Sequence, residues 1–190
     1  RSGVLVSADD NPNQQYTRDD MPFMDVSAPK RPEELDCEIH HVNIKGEKWT
    51  ILIGLLQGRP YEVIGGLSQY VEIPKKHKYG KIMRRPRKSV LSKYDLFCGE
   101  GDDEFAIKDV VSVFDNPNHS GYTRFLSLSL RHGAPIQYVV EQLQKDKEAD
   151  MFSFSKVIAR CLKKYIPDGT VGGDKDCPSC GALDSLVYQE

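Results

Sequence analysis

The chain has 190 residues, enough for one domain of usual size or for a small domain with tails. Its 39% hydrophobic and 28% charged residues are typical of a soluble globular protein that carries some exposed linker. The formal net charge of −2 gives no bulk argument for a nucleic-acid or membrane partner, and no apolar run reaches the roughly 20 residues of a membrane-spanning helix.

The first 35 residues are rich in Asp, Asn, Pro, Gln and Ser, and we interpret residues 1–35 as an extended arm or linker. A short apolar cluster at residues 21–24 either docks on a neighbouring surface or is part of a mobile segment. The chain starts with Arg1 and has no apolar secretory signal nearby, so we expect a fragment of a longer polypeptide.

Cysteine usage predicts a reducing, cytoplasmic environment. The five cysteines are odd in number and irregular in spacing, with one close pair, which does not suggest a secreted disulfide framework. Cys161 falls in an apolar stripe of helical period and is expected in the core. His40 and His41 are neighbours on a predicted strand and face opposite sides, so they cannot chelate one ion together.

An alternation of period two predicts strands between Cys37 and Ile73. Residues 45–48 and residues 57–60 are the predicted turns between them, and a last short strand is expected over residues 70–73. From residue 122 onward the period changes to 3.6. The predicted helices have the following apolar stripes: Tyr122, Phe125, Leu126 and Leu130, ending at Gly133; Ile136, Val139, Val140 and Leu143, opening with Pro135; and Phe154, Val157, Ile158, Cys161, Leu162 and Tyr165, capped by Ser153.

These elements define an α+β fold in which a small antiparallel β-meander packs with about three α-helices. The predicted organisation is an arm over residues 1–35, the α+β domain over residues 36–170 and a cysteine-bearing tail over residues 171–190. His132 lies at a predicted helix end, where capping is a more natural role than metal ligation.

The sharpest chemical motif is Cys177-Pro178-Ser179-Cys180-Gly181. A Cys-x-x-Cys turn can offer two thiolates to a tetrahedral zinc ion, but zinc needs four ligands, so Cys177 and Cys180 make half of a structural site. The same spacing supports a redox dithiol, although no strand leads into the motif as it does in thioredoxin-type sites. Inert loop thiols are the third interpretation.

Residues 74–93 form a strongly basic stretch without acidic residues. It could neutralise the phosphates of a nucleotide or a nucleic acid, although it lacks a series of aromatic residues to stack on bases. The alternative is a solvated loop or a surface that faces an acidic neighbouring domain. The candidate phosphate contacts are Lys75, Lys76, Lys81, Arg84, Arg85, Arg87 and Lys88.

Four segments, in order, resemble the C-terminal region of adenosylcobalamin-dependent (class II) ribonucleotide reductases. Residues 57–63 (QGRPYEV) are similar to the strand region of the so-called TSCPD domain of those enzymes. Residues 121–136 and residues 154–169 resemble segments near the end of long class II enzymes, and residues 177–190 resemble the start of their cysteine-rich tail. The chain departs from the pattern where the Thr-Ser-Cys-Pro-Asp string would stand, because it reads Phe152-Ser153-Phe154-Ser155-Lys156 there.

The resemblance implies an accessory region of a ribonucleotide reductase and not the catalytic barrel itself, since no acid–base pair or nucleophile is recognisable here. In the parent enzyme adenosylcobalamin generates a cysteine thiyl radical, and the ribonucleotide is reduced to a deoxyribonucleotide for DNA synthesis. Implied partners are the upstream catalytic barrel, ribonucleotide substrate, nucleotide effectors, and thioredoxin or glutaredoxin as reductant. A homo-oligomer is a further possibility. The alternative function is a zinc-knuckle module that binds nucleic acid or mediates assembly and has no catalytic role.

Overall fold

The computed structural model describes residues 27–86, 92–114, 116–145, 153–170 and 187–188. Within these residues the fold is α+β, as predicted. The strands are β1 (Glu34–Ile44), β2 (Glu47–Leu56), β3 (Arg59–Leu67), β4 (Tyr79–Arg84), β5 (Tyr94–Cys98) and β6 (Phe105–Ile107). The helices are α1 (Val110–Val113), α2 (Pro117–Arg131), α3 (Ile136–Lys145) and α4 (Phe154–Lys163).

The six strands form one antiparallel sheet in the order β3-β2-β1-β4-β5-β6. Two consecutive hairpins join β1 to β2 and β2 to β3. β4 pairs with the edge of β1 that β2 leaves free. Both predicted turns are confirmed as two-residue hairpin turns. Lys45 and Gly46 have φ values of 47° and 90°, and Gln57 and Gly58 have values of 53° and 77°, the positive angles that turns matching the strand twist require.

The predicted strand over residues 70–73 is wrong. The chain instead makes a 3-10 turn at Ser68–Tyr70 and then continues in an extended conformation that pairs with no strand. Val71 and Ile73 are nevertheless 3% and 7% exposed, because both side chains pack under the sheet. Apolar residues at alternate positions show that one side of an extended segment is buried. An unpaired extended segment has the same pattern as a strand, so the pattern could not distinguish the two.

Two hydrophobic clusters lie on opposite faces of the sheet, as the alternation along β2 shows. Ile51 and Ile53 belong to the cluster that packs against α2, α3 and α4, whereas Leu52 between them belongs to the cluster that contains α1 and residues of β4 and β5. All three side chains are fully buried, and such burial contributes roughly 1.5–3 kcal/mol per large apolar side chain.

Three of the four helices match the three predicted ones. Asn116 caps α2 by accepting from the backbone N–H groups of Asn118 and His119, and Pro117 takes the first helical position. His132 occupies the C-cap and Gly133 follows at φ 82°, the left-handed conformation that often ends a helix. Ser153 takes the N-cap position of α4 as predicted.

The predicted burial of Phe125 is wrong, since its side chain is 71% exposed. The reason is that α2 lies along the outer edge of β3. Its inward side includes Ser127, whose hydroxyl accepts from the Val63 N–H at 2.9 Å and donates to the Thr123 carbonyl at 2.6 Å. Covering an edge strand with a helix keeps it from pairing with another chain, and this placement turns Phe125 towards solvent.

Candidate functional site

The two cysteines predicted to bind zinc or to exchange disulfides, Cys177 and Cys180, lie outside the described residues, as do Arg87 and Lys88. The chain on either side of the cysteine pair is described. Gly169 donates its N–H to the Tyr188 carbonyl, and Tyr188 donates its N–H to the Thr170 carbonyl, both at 2.9 Å. This backbone bridge joins the described chain that precedes residues 171–186 to the described chain that follows them.

Tyr188 ties the bridge to the core. Its ring packs against the hydrophobic cluster beneath α3 and α4, and the Lys163 ammonium lies 5.8 Å from the ring centroid. Desolvation raises the pKa of the Tyr188 phenol, and the hydroxyl oxygen is buried. The end of the sequence therefore contributes one aromatic side chain to the domain.

Three of the candidate phosphate-binding residues are ion-paired within the chain. Lys76 pairs with Asp103, Lys81 with Glu34 at 2.5 Å, and Arg85 with both carboxylate oxygens of Asp95. The hydrogen bonds from Arg85 are the main reason why the pKa of Asp95 lies below its ordinary value.

The other described members of the basic set are Lys75, which is exposed, and Arg84, which is half-buried at the end of β4. Lys81 and Arg84 lie on β4, which also places Ile82 in the core, whereas Lys75 and Lys76 precede this strand and Arg85 follows it. A phosphate-binding role for this set stays a prediction.

A cluster of titratable side chains joins β1 to the end of α4, and sequence reasoning missed it. His40 is 5% exposed, and its Nε2 lies 3.0 Å from the Tyr165 hydroxyl and 3.9 Å from a Glu38 carboxylate oxygen. Tyr165 also donates a hydrogen bond to Glu38, and the Lys164 ammonium lies 3.5 Å from His40 Nδ1. We call Glu38, His40, Lys164 and Tyr165 the β1–α4 polar cluster.

The cluster arises from the alternation along β1. Glu38 and His40 point to the helix-covered face of the sheet, where the chain leaving α4 places Tyr165 over them. One signal was present in the sequence, because Glu38 and His40 share a face of β1 with the apolar Val42 and Ile44, and polar residues need hydrogen-bond partners when buried. Those partners come from residues about 125 positions later, a separation that no local pattern encodes.

Burial sets the charge states in the β1–α4 polar cluster. Desolvation lowers the pKa of His40 to about 4, against a smaller opposing effect of Glu38. Desolvation and the hydrogen bond to Glu38 raise the pKa of Tyr165 well above its ordinary range. At neutral pH the cluster therefore contains a neutral imidazole and a neutral phenol, and the phenol donates its hydrogen bond to Glu38.

We expect the stability of the protein to fall as pH decreases from about 6.5 towards 4, with His40 as a main cause. The folded-state pKa of His40 lies below the value of about 6.5 in an unfolded chain, so the unfolded state binds the proton first. The full stabilisation is present above pH 6.5, and about 1–3 kcal/mol of it is lost by pH 4.5.

The measurement is urea unfolding at pH 7.0, 6.0, 5.0 and 4.5. The His40→Gln variant should show a flatter dependence on pH, whereas the His132→Gln variant, changed at the exposed C-cap of α2, should follow the wild type. His41 and His119 also have pKa values lowered by desolvation, and they contribute equally to every variant. Parallel curves for the wild type and His40→Gln would contradict the assignment.

A second polar network fixes the start of the described chain to the sheet. Arg31 makes two hydrogen bonds to the Glu62 carboxylate, of 2.9 and 2.7 Å, and the two side chains are 5% and 3% exposed. Arg131 at the end of α2 adds a third contact to Glu62 at 3.2 Å. Gly54 makes room for this network, because a Cβ atom there would lie 2.7 Å from Glu62 Cγ.

The remaining described cysteines are buried core residues. Cys161 is 1% exposed, as predicted, and burial raises the pKa of its thiol to about 12. Cys37 and Cys98 are each 2% exposed, and burial raises both thiol pKa values. Raised pKa values leave the reactive thiolate scarce at neutral pH, so these three thiols are poor nucleophiles.

No group of three or more His, Cys, Asp or Glu side chains with metal-binding geometry occurs among the described residues. In the same part of the chain, no helix combines the length and the apolar character needed to cross a membrane.

An α+β domain built on a six-stranded antiparallel sheet, with helices on one face and buried polar networks, is the class of protein that the described residues define. Residues 35–167 match the family model described as NrdJ homologue C-terminal domain. The chain belongs to this family. Neither the curated proteins nor the solved structures include one with significant similarity to the chain.

Proposed function

We propose that the chain is the C-terminal accessory region of an adenosylcobalamin-dependent ribonucleotide reductase and supports the reduction of ribonucleotides without performing it. The observation that carries this proposal is the family match over residues 35–167, which covers the whole sheet from Leu35 and all four helices.

In this proposal the region supports the return of electrons to the catalytic domain. The reaction oxidises two active-site thiols of the catalytic domain to a disulfide for each ribonucleotide reduced. Thioredoxin or glutaredoxin supplies the two electrons that return this disulfide to thiols, by thiol–disulfide exchange through direct sulfur contact. Zinc held by Cys177 and Cys180, with two further ligands, shapes the segment from which such exchange is made.

The bridge between Thr170 and Tyr188 favours the anchoring role over that of a free shuttle. A shuttle must travel between an external reductant and a buried active site, which suits a chain end. Cys177 and Cys180 instead lie within a segment bound at both ends to the domain. We therefore assign them to zinc and to the shaping of the tail, and the shuttling to other cysteines of the intact protein.

We expect the Cys177→Ser, Cys180→Ser double variant to lose bound zinc, because half of the tetrahedral ligand set is removed. In an intact reductase carrying the double substitution, turnover driven by thioredoxin should fall at least tenfold, while turnover driven by dithiothreitol is kept. Zinc is measured by release to a chromogenic chelator, and turnover by deoxyribonucleotide formation with added adenosylcobalamin.

The matched control is Ser179→Ala, which changes the residue between the two cysteines and leaves both sulfurs in place. It should retain zinc and both turnover rates. If the double variant keeps its zinc and loses only thioredoxin-driven turnover, the shuttle role is right and the anchoring role wrong. If neither turnover rate changes and the chain is retained on DNA or RNA in a salt-dependent way, the nucleic-acid module replaces the reductase proposal.

A further inference from the structure

Two large apolar side chains stand side by side on the outer face of α2. Phe125 is 71% exposed and Leu128 is 50% exposed. Residues three apart on a helix are neighbours, so the two side chains form one continuous patch, which we call the α2 patch. Its exposure follows from the placement of α2 along β3, described above, which turns Thr123 and Ser127 inward.

The start of the described chain is linked through Tyr61 to the C-terminal end of α2. Tyr61 donates its hydroxyl to the Pro29 carbonyl at 2.6 Å, and the Arg131 guanidinium lies 5.2 Å from the Tyr61 ring centroid. Arg131 is in turn the neighbour of Leu128, three residues away on α2. A chain of contacts therefore leads from Pro29 through Tyr61 and Arg131 to the α2 patch, over which the preceding residues can continue.

The residues just before this point include an apolar cluster, Met21, Pro22, Phe23 and Met24. Only about five residues separate Met24 from Pro29, and an extended chain spans about 3.3–3.6 Å per residue, or roughly 17 Å. Phe125 lies six residues before Arg131, about 9 Å along the helix axis. The reach of the chain from Pro29 is therefore about twice the length of α2 that separates Arg131 from Phe125.

We propose that residues 21–24 dock on the α2 patch and thereby hold the arm, residues 1–35, against α2. Valine and leucine at positions 4–6 are the other apolar run of the arm, but about 23 residues separate them from Pro29. Effective concentration falls as the −3/2 power of the linking length, so residues 21–24 have about a tenfold advantage.

The size of the patch argues against a second copy of the chain as the occupant. Two side chains exposed to this degree offer on the order of 200–300 Å², whereas a stable interface buries about 800 Å² on each partner. A four-residue segment, already tethered close by, fits the available area.

Methionine methyl groups provide the test on the intact 190-residue chain. The four methionines are Met21, Met24, Met83 and Met151, so selective ¹³C-methyl labelling gives four signals. In the wild type we expect nuclear Overhauser contacts from the Met21 or Met24 methyl to the Phe125 ring or the Leu128 methyls. Met83 on β4 is the internal control for folding.

The Phe125→Ala, Leu128→Ala variant should move the Met21 and Met24 signals to the positions of an unstructured peptide and leave Met83 unchanged. Tyr138→Ala, which removes an exposed aromatic side chain of α3, should leave all signals in place. The proposal is overturned if the wild-type Met21 and Met24 signals already have peptide positions. It is equally overturned if the contacts disappear on dilution, because the patch then binds a second copy. The wild-type spectrum decides without any variant.

Discussion

The Glu62→Gln variant is expected to unfold with a free energy about 3–5 kcal/mol below that of the wild type, because it breaks a buried ion pair from one side. Glu62 accepts two hydrogen bonds from Arg31 and a third from Arg131. The glutamine amide keeps the size of the side chain but turns one acceptor into a donor that faces a guanidinium. The Arg31 charge is then buried without a counter-charge.

Urea unfolding followed by circular dichroism measures this loss. The matched control is Glu34→Gln, which breaks the exposed pair with Lys81 and should leave the free energy of unfolding nearly unchanged, since water screens that pair. Amide hydrogen exchange at Arg84 should also speed up in Glu62→Gln, because its N–H donates to the Glu33 carbonyl of the segment that Arg31 holds to the sheet. Equal stability of the two variants would show that burial of the Glu62 pair has no energetic consequence.

The Gly99→Ala variant is expected to lose about 2–5 kcal/mol. Gly99 follows β5 with a φ of 78°, and a side chain in this left-handed region costs about 1–2 kcal/mol. The new Cβ would also overlap the backbone carbonyl of Asp103 and lie 3.1 Å from the His77 ring. Because a backbone atom cannot rotate away, the 3-10 turn Gly101–Asp103 must shift, and forced overpacking adds about 1–3 kcal/mol.

Gly58 provides the control, because its φ of 77° is nearly the same and a Cβ atom added there would have no other atom within 4 Å. Gly58→Ala should therefore show only the conformational cost of about 1–2 kcal/mol. Thermal and urea unfolding of both variants separate strain from overlap. A Gly99→Ala variant no less stable than Gly58→Ala would mean that the turn after β5 adapts without cost.

The elements with local signals were predictable from the sequence. The hairpin turns at Gly46 and Gly58 have residues that accept positive φ, and the apolar period of α3 and α4 is regular over their length. Such features depend on a few neighbouring residues, and the structure confirms them. The stripe of α2 was predicted less well, because that helix packs partly through Thr123 and Ser127, which a hydrophobic pattern does not register.

The sheet order and the polar contacts could not be predicted. β4 pairs with β1, which places part of the basic stretch beside the first strand and buries Ile82. No local sequence pattern predicts this pairing. Glu62 contacts Arg31 and Arg131 across 31 and 69 residues of sequence. Such partners are brought together by the topology as a whole, so the candidate site had to be found in three dimensions.

The hydrogen bonds that join Tyr188 to Gly169 and Thr170 limit how far Cys177 and Cys180 can lie from the domain. Cys177 is seven residues from Thr170, and Cys180 is eight residues from Tyr188. Even if the intervening chain is fully extended, neither sulfur can lie more than roughly 25–30 Å from the Thr170–Tyr188 bridge while that bridge is formed. Any group that these two sulfurs contact must come within that distance while the bridge is formed. Opening the two backbone hydrogen bonds at Tyr188 would lengthen the tether and widen the range of partners that the cysteines can reach.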